Sequence, residues 1–141
     1  MAGYMTKLQG YVYDGAHIAA EAMPNGVFAE ITSTGVKKIA AAGDATLRVD
    51  AIETLFGMPA VRASVIHAGT KDHFFVENEW DINDCCNYNT AEYECKVGDF
   101  VRMHRLVTGD QLIMTVADSL ATTLAVGDIM KPAIAGTIAK A

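Results

Sequence analysis

The clearest signal of fold in this chain is the stretch Phe100-Val101-Arg102-Met103-His104-Arg105-Leu106. In an extended chain the even-numbered residues share one face and the odd-numbered residues share the other. Neither face is wholly apolar, so the pattern predicts a β-strand at an edge or an interface rather than at the centre of a sealed core. The next apolar segment, residues 111–116, follows a short loop and is expected to be its antiparallel partner.

Turn dipeptides divide the rest of the chain in the same way. Gly-Asp begins at positions 43, 98, 109 and 127, and Asn-Gly begins at position 25. Such pairs mark turns between short apolar segments, and strands at roughly 8–12-residue spacing indicate a sandwich or a barrel. The pattern Val-Gly-Asp in 96–102 recurs in 125–131, which predicts that both places are turns that start a strand. The predicted strands are residues 27–32, 36–41, 46–50, 61–67, 73–77, 100–106, 111–116 and 136–140.

Helical signals are few. Asp50 and Glu53 have the spacing of a capping box ahead of an apolar pair, and Gly57 and Pro59 close the segment, which predicts one short helix there. Residues 118–124 fit either a short helix or an extended chain. We therefore expect an all-β fold, a small antiparallel β-barrel or β-sandwich with at most one or two short helices.

The first 25 residues differ from the rest. They contain three glycines and the tyrosines Tyr4, Tyr11 and Tyr13, and they show no sustained hydrophobic period. This predicts an extended N-terminal arm, residues 1–25, attached to a single domain, residues 26–141. Tyrosine buries area at low entropic cost and keeps a hydroxyl for bonding, which suits docking on another surface. The alternative is that the three rings cover the domain's own core.

Composition sets the class of protein. The chain has 141 residues, of which 51% are hydrophobic and 20% are charged, which is ordinary for a globular domain and unlike a disordered chain. The apolar runs are far shorter than the roughly 18–20 residues that span a bilayer. No cationic segment followed by an apolar one begins the sequence, so we expect an intracellular protein without a membrane partner.

Negative charge is concentrated in one segment, residues 72–99, which we call the acidic belt. It holds eight acidic residues and one basic residue, whereas the net charge of the whole chain is −6. A negative surface without clustered Lys and Arg repels phosphate backbones, so no nucleic-acid partner is expected. A basic protein surface or a cation is the natural partner.

Four residues of the acidic belt are candidate contact residues. Glu77, Glu79 and Asp81 project to one side of an extended chain, and Trp80 lies among them and is able to anchor a contact. The alternatives are a solvated acidic rim, or a Ca²⁺ site that lacks the glycine of the usual calcium loop.

Residues that carry catalysis or bind metal have no recognisable pattern. Cys85, Cys86 and Cys95 are expected to be reduced thiols, because a set of three without a secretory signal argues against disulfides. Together with His73 they supply four zinc ligands on paper, but vicinal cysteines do not match the usual ligand spacing. The chain has no G-x-S-x-G, dinucleotide-binding or Walker motif. The sequence therefore predicts a protein that is not an enzyme, with no catalytic residue, no metal and no cofactor.

The last third of the chain resembles small virion proteins of tailed bacteriophages, in particular capsid decoration proteins, which are also called head-stabilising or cement proteins. The residues that carry the resemblance are Val97-Gly98-Asp99-Phe100-Val101-Arg102, Gly109-Asp110-Gln111-Leu112-Ile113-Met114-Thr115, Leu124-Ala125-Val126-Gly127-Asp128, Lys131-Pro132-Ala133 and Gly136-Thr137-Ile138.

This resemblance implies a β-tulip-like module that binds the major capsid protein on the outside of the shell, as a homo-oligomer with a trimer favoured. It also implies assembly in the cytoplasm of the bacterial host, stabilisation of the capsid without chemistry, and a terminal arm that orders on the shell by adding a strand. The predicted contact residues are Tyr4, Tyr11, Tyr13, Glu77, Glu79, Trp80 and Asp81. The alternatives are another virion component (a tail, head-completion or receptor-binding module) or a small metal-binding enzyme that uses His67, His73, Glu77 and the cysteines.

Overall fold

The computed structural model describes residues 2–9, 13–78 and 94–141. Within these residues the chain forms β-strands almost throughout, with one four-residue helix, α1 (Asp118–Ala121), and a 3-10 turn at Ile134–Gly136. The all-β prediction is confirmed, and the arrangement is sandwich-like. The strands are β1 (Gly3–Lys7), β2 (Tyr13–Ile18), β3 (Met23–Pro24), β4 (Phe28–Thr32), β5 (Gly35–Lys38), β6 (Thr46–Leu55), β7 (Met58–His67), β8 (Phe74–Val76), β9 (Glu94–Cys95), β10 (Phe100–Arg105), β11 (Gln111–Thr115), β12 (Ile129–Pro132) and β13 (Ile138–Lys140).

Two antiparallel sheets carry the fold. The six-stranded sheet has the order β1-β11-β7-β6-β12-β13, and the five-stranded sheet has the order β2-β10-β8-β4-β5. A short ribbon of β3 and β9 forms a third pair. The long hairpin of β6 and β7, ten residues in each strand, is the centre of the six-stranded sheet.

The main core lies between the six-stranded sheet and one face of the five-stranded sheet. Phe28 of β4 and Phe75 of β8 are fully buried there, with their ring centroids 5.5 Å apart in an edge-to-face contact. Each large apolar side chain buried in this way stabilises the fold by roughly 1.5–3 kcal/mol. The residues of the six-stranded sheet in this core include Leu47, Val49, Val61, Ala63, Val65, Leu112, Met114 and Met130.

The five-stranded sheet is buried on its other face as well. Phe74 and Val76 flank Phe75 along β8 and point to the opposite side, where Met23 of β3 and Cys95 of β9 cover them. Because successive residues of a strand face opposite sides, a strand buried on both faces has a continuous apolar sequence. This explains why residues 74–76 lack the alternation of a half-exposed strand.

Three Gly-Asp turns tie the strands together in the same way. Their glycines, at positions 98, 109 and 127, have φ of 89°, 97° and 95°, the left-handed region that the third position of a type II turn requires. In each turn the Asp N–H donates to the carbonyl three residues earlier at 3.0–3.1 Å. Each turn also exchanges two main-chain hydrogen bonds with one other residue. The partner is Ala19 for the turn at Gly98, Val65 for the turn at Gly109 and Val49 for the turn at Gly127. A strand starts directly after each aspartate, so the prediction from the repeated Val-Gly-Asp pattern is confirmed, and residues 107–110, which lack that pattern, form a third turn of the same kind.

The short helix predicted at 50–57 is wrong. β6 and β7 run through this region and leave Phe56 and Gly57 as a two-residue hairpin turn, with φ of 51° and 76°. Two central residues with positive φ are the signature of a type I′ turn. The supposed capping residue Glu53 instead reaches across the hairpin, where its Oε2 accepts a hydrogen bond from Arg62 Nε at 2.8 Å.

The predicted pairing of residues 100–106 with 111–116 is also wrong. β10 is an internal strand of the five-stranded sheet, between β2 and β8, and β11 belongs to the six-stranded sheet, between β1 and β7. The reason lies in the intervening turn, where Gly109 N–H and Asp110 C=O bond with Val65 of β7. These bonds hold the turn against the six-stranded sheet, so the chain leaves the five-stranded sheet after β10 and enters the six-stranded sheet at β11.

The segment predicted as an arm contains β1, β2 and β3. In the structure β1 pairs with β11 at one edge of the six-stranded sheet, and β2 pairs with β10 at one edge of the five-stranded sheet. Gly3 and Gly26 allow this close fit, because a Cβ on Gly26 would lie 2.4 Å from the carbonyl oxygen of Ala2. The division into an arm and a domain stays a prediction.

Candidate functional site

The structure describes three of the seven predicted contact residues: Tyr4, Tyr13 and Glu77. The other four, Tyr11, Glu79, Trp80 and Asp81, lie outside the described residues, as do Cys85 and Cys86. Tyr4 is on β1, Tyr13 is on β2, and Glu77 directly follows β8. Two of the three come together in space, and the third lies elsewhere.

Glu77 and Tyr13 meet around His104, in a group that we call the Glu77 junction. Glu77 Oε2 lies 3.4 Å from His104 Nε2 and accepts a hydrogen bond from the main-chain N–H of Met5 at 3.0 Å. The Tyr13 ring stands edge-on to the His104 ring, with centroids 5.6 Å apart. Because Met5 belongs to the six-stranded sheet and His104 to the five-stranded sheet, the junction joins the two sheets. The sequence pattern gave no sign of His104 in this role.

Tyr4 lies on the outer face of the six-stranded sheet, with 39% of its surface exposed. It is directly opposite Ile113 of β11, which in turn is opposite Arg62 of β7, so the three side chains form a row on one face. The hydrogen bond to Glu53 raises the pKa of Arg62, and the negative charge of Glu53 adds to the effect. An amphipathic ring and a fixed guanidinium on one face are the kinds of side chain that protein interfaces favour.

A row of hydrogen-bonded polar side chains, which we call the polar stripe, runs across this sheet. At its centre Asp50 Oδ2 accepts hydrogen bonds from Gln111 Nε2 at 2.8 Å and from the Ser64 hydroxyl, and Oδ1 accepts one from Arg48 Nε at 3.2 Å. Thr6 Oγ1 continues the row by donating to Gln111 Oε1 at 2.9 Å. Partial burial acts to raise the pKa of Asp50, but these hydrogen bonds outweigh it and the pKa lies below its usual value. The stripe is a fixed, charged row that spans four strands.

An apolar groove of about 810 Å³ opens at the turn of the β6–β7 hairpin. Residues 57–59, 115–118, Leu120 and 137–139 line it. Phe56, at the tip of the hairpin beside the groove, exposes 53% of its surface. No sequence signal pointed to this groove, because its walls come from three separate parts of the chain.

Cys95, the one described cysteine, is buried in the second core with 2% exposure. Its Sγ lies 3.4 Å from the carbonyl oxygen of Phe100 and 3.7 Å from that of Asp99. Burial, and to a lesser extent the negative charge of Asp99, raises the pKa of this thiol. A protonated, buried thiol is a structural side chain and not an activated nucleophile.

The two histidines named in the metal-binding alternative have different hydrogen-bonding and ion-pair partners. His73 is buried with Nε2 3.8 Å from Glu30 Oε2, and burial lowers its pKa. His67 is exposed, and its Nδ1 accepts a hydrogen bond from the Gly69 N–H at 3.0 Å. Across residues 2–9, 13–78 and 94–141, the structure places no three His, Cys, Asp or Glu side chains where they would hold a metal ion.

The comparisons with known proteins give no assignment. No protein-family model, no curated protein and no solved structure matches this chain. In the described part of the chain we find no helix with the length and apolar character that a membrane span needs.

Proposed function

We propose that the protein is a non-enzymatic virion structural protein that binds the outside of a bacteriophage capsid and stabilises it. The resemblance of residues 97–138 to capsid decoration proteins supplies the partner class, the major capsid protein. The observation that carries the proposal is the exposed Tyr4 ring on the outer face of the six-stranded sheet, in one row with Ile113 and Arg62. Among the three described contact residues, Tyr4 is the one that takes no part in the Glu77 junction.

The outer face of the six-stranded sheet suits docking on a larger surface. The polar stripe is held by hydrogen bonds within the sheet, so little side-chain freedom is lost when it is covered. Tyr4 adds an apolar body with a polar tip. A shell repeats the same binding site many times. Once one subunit of an oligomer is bound, the binding of the next subunit is intramolecular, so even a weak contact per subunit gives tight attachment.

The alternative is another virion role, in the tail, in head completion or in receptor binding, because one β-fold carries many attachments. The two roles differ in where and how often the protein occurs on the particle. A decoration protein repeats over the whole shell, whereas a tail or head-completion component occupies one vertex or one axis.

The experiment is quantitative mass spectrometry and cryo-electron microscopy of purified particles of the phage that encodes this chain. We expect density for the protein at repeated positions on the capsid exterior, and capsids that lack the protein should rupture at lower temperature. Confinement to the tail or one vertex would replace the proposal with the alternative, and absence from particles would reject both.

The contact residues are tested by occupancy. Replacing the three tyrosines Tyr4, Tyr11 and Tyr13 by alanine should lower the number of copies bound per particle, and Tyr4→Ala alone should account for part of the loss. Ile31→Ala is the control, because Ile31 is equally exposed, at 40%, but lies on the five-stranded sheet. Equal occupancy of the tyrosine variant and the control contradicts the assignment.

A further inference from the structure

Phe56 is an unusual residue for the turn position that it occupies. It occupies the first central position of a type I′ turn with φ of 51°, where Asn, Asp and Gly are favoured and an aromatic residue is strained. Its ring is also 53% exposed to solvent. Backbone strain is unfavourable in an isolated subunit and is typically kept where a residue serves a function, which points to a role for this ring.

The apolar groove lies directly beside this ring. Gly57, the chain neighbour of Phe56, forms part of the groove wall, and apolar side chains of Pro59, Val116 and Leu120 line its inside. The volume of about 810 Å³ leaves ample room for a phenylalanine side chain. Thus one surface patch carries both an exposed apolar ring and an apolar groove large enough to admit one.

We propose that a second copy of this chain covers the groove, with Phe56 of each copy inserted into the groove of the other. A projecting ring and a hole in the same patch are what a two-fold axis requires, because in such an interface each surface contacts itself reciprocally. The arrangement buries both rings and both grooves. It is a two-fold contact, distinct from the trimer that the resemblance implies.

The charge of the chain predicts how this contact responds to salt. Two copies of net charge −6 repel each other, and added salt screens that repulsion while leaving apolar burial in place. The dimer is therefore expected to become stronger as salt rises. Docking of a basic partner on the same patch would show the opposite dependence.

The test uses the isolated full-length protein in sedimentation velocity. A contact that rests on two rings is smaller than the roughly 1,200–2,000 Å² of a standard interface, so we expect reversible dimers across about 1–200 µM. Phe56→Asn is the decisive variant, because Asn-Gly is favoured in a type I′ turn and the variant should fold at least as well as the parent. We expect it to weaken dimerisation at least about 30-fold, as for a hot-spot side chain.

Two further variants complete the test. Ala117→Trp places a ring in the groove of the same chain and is expected to block dimerisation, with folding checked by circular dichroism. Phe100→Asn is the matched control, since Phe100 is 63% exposed but starts β10 in the other sheet, and it should dimerise like the parent.

A parent that stays monomeric at the highest concentration would overturn the proposal. So would dimers or trimers that persist unchanged in Phe56→Asn. The inference does not rest on the proposed virion role, and because no capsid is present in the experiment, its outcome leaves capsid binding to be decided separately.

Discussion

Gly3 and Gly26 pass so close that a Cβ on Gly3 would lie 2.7 Å from the Cα of Gly26. Through this contact the first strand packs against the loop ahead of β4, and two hydrogen bonds between Ala2 and Thr115 fix its start: Ala2 N–H to Thr115 Oγ1 at 3.0 Å and Thr115 N–H to the Ala2 carbonyl at 2.9 Å. The first strand is therefore fitted to the domain backbone against backbone. A contact made only by side chains would tolerate more substitutions at these two positions than this backbone contact does.

This fit predicts that Gly26→Ala is strongly destabilising. The new methyl group meets the Ala2 carbonyl, and φ of 82° is unfavourable for alanine. Gly98→Ala is the matched control, since Gly98 has a similar φ of 89° but open space around the added methyl. We expect Gly98→Ala to cost about 1–2 kcal/mol and Gly26→Ala distinctly more, measured by urea unfolding. Equal losses would show that β1 is not held by this contact.

The burial of His73 predicts loss of stability in acid. Burial holds its folded-state pKa below the ordinary value of 6.5, although the nearby Glu30 opposes the shift. The unfolded chain therefore binds the proton first, so this contribution to stability is full above about pH 6.5 and is lost as pH falls through the folded pKa.

The slope due to one proton reaches at most about 1.4 kcal/mol per pH unit. Thermal melts between pH 7.5 and pH 5 measure it. His73→Gln should flatten the profile over this range, whereas the exposed control His67→Gln should keep it. A profile that stays the same in His73→Gln would assign the acid sensitivity to other groups.

Two aspartates in equivalent turns should differ in their effect on stability. Asp110 is fully buried, and its carboxylate accepts hydrogen bonds from the N–H groups of Gln9 at 2.8 Å and Val107 at 3.1 Å. Removing it by Asp110→Ala leaves those donors without their acceptor and should cost about 2–3 kcal/mol.

The companion variant is Asp128→Ala, in the exposed turn where Asp128 accepts from the Ala125 N–H at 2.9 Å. We expect a clearly smaller loss, because water replaces the missing acceptor. Chemical denaturation of both variants makes the comparison, and a larger loss in Asp128→Ala would contradict it.

Cys95 should react only when the domain unfolds. Its thiol is buried and its pKa is raised, so little thiolate is present and access is blocked. In a variant with Cys85→Ser and Cys86→Ser, Ellman's reagent is expected to label one thiol in denaturant and almost none in native buffer. Rapid native labelling would mean that the ribbon of β3 and β9 opens readily.

The sequence predicted the strands well where turns and alternation agree. Gly-Asp and Asn-Gly pairs marked the starts of β4, β6, β10, β11 and β12 to within a few residues, and in four of these five pairs the glycine has the positive φ that such turns require. No strand was predicted at β1, β2, β3 or β9, and β12 was predicted only as a strand start after its turn: β1 carries a glycine that serves packing, β3 and β9 have two residues each, and β12 ends in a proline. Glycine and proline are uncommon inside strands, and a two-residue strand leaves no alternation to detect.

Contacts between residues that are far apart in the sequence could not be predicted from local sequence patterns. The helix predicted after Asp50 arose because the capping-box spacing of Asp50 and Glu53 also occurs in a strand, where Glu53 serves Arg62. Of the candidate site, the sequence left open whether Tyr4 is exposed or covers the core, because no apolar period assigns it to a face. The meeting of Glu77 with His104, which are 27 positions apart, depends on how the sheets stack, and no spacing rule gives it.

The three Gly-Asp turns give this molecule rigid attachment points for probes. The residue before each glycine, Val97, Thr108 or Val126, is exposed, and the glycine and aspartate that follow it are held by two main-chain hydrogen bonds to a neighbouring segment. A spin label or dye placed at 97 and 126 would therefore follow the two sheets themselves rather than the wobble of a loop. Distances between such labels would track any shift of one sheet against the other when the protein meets its partner.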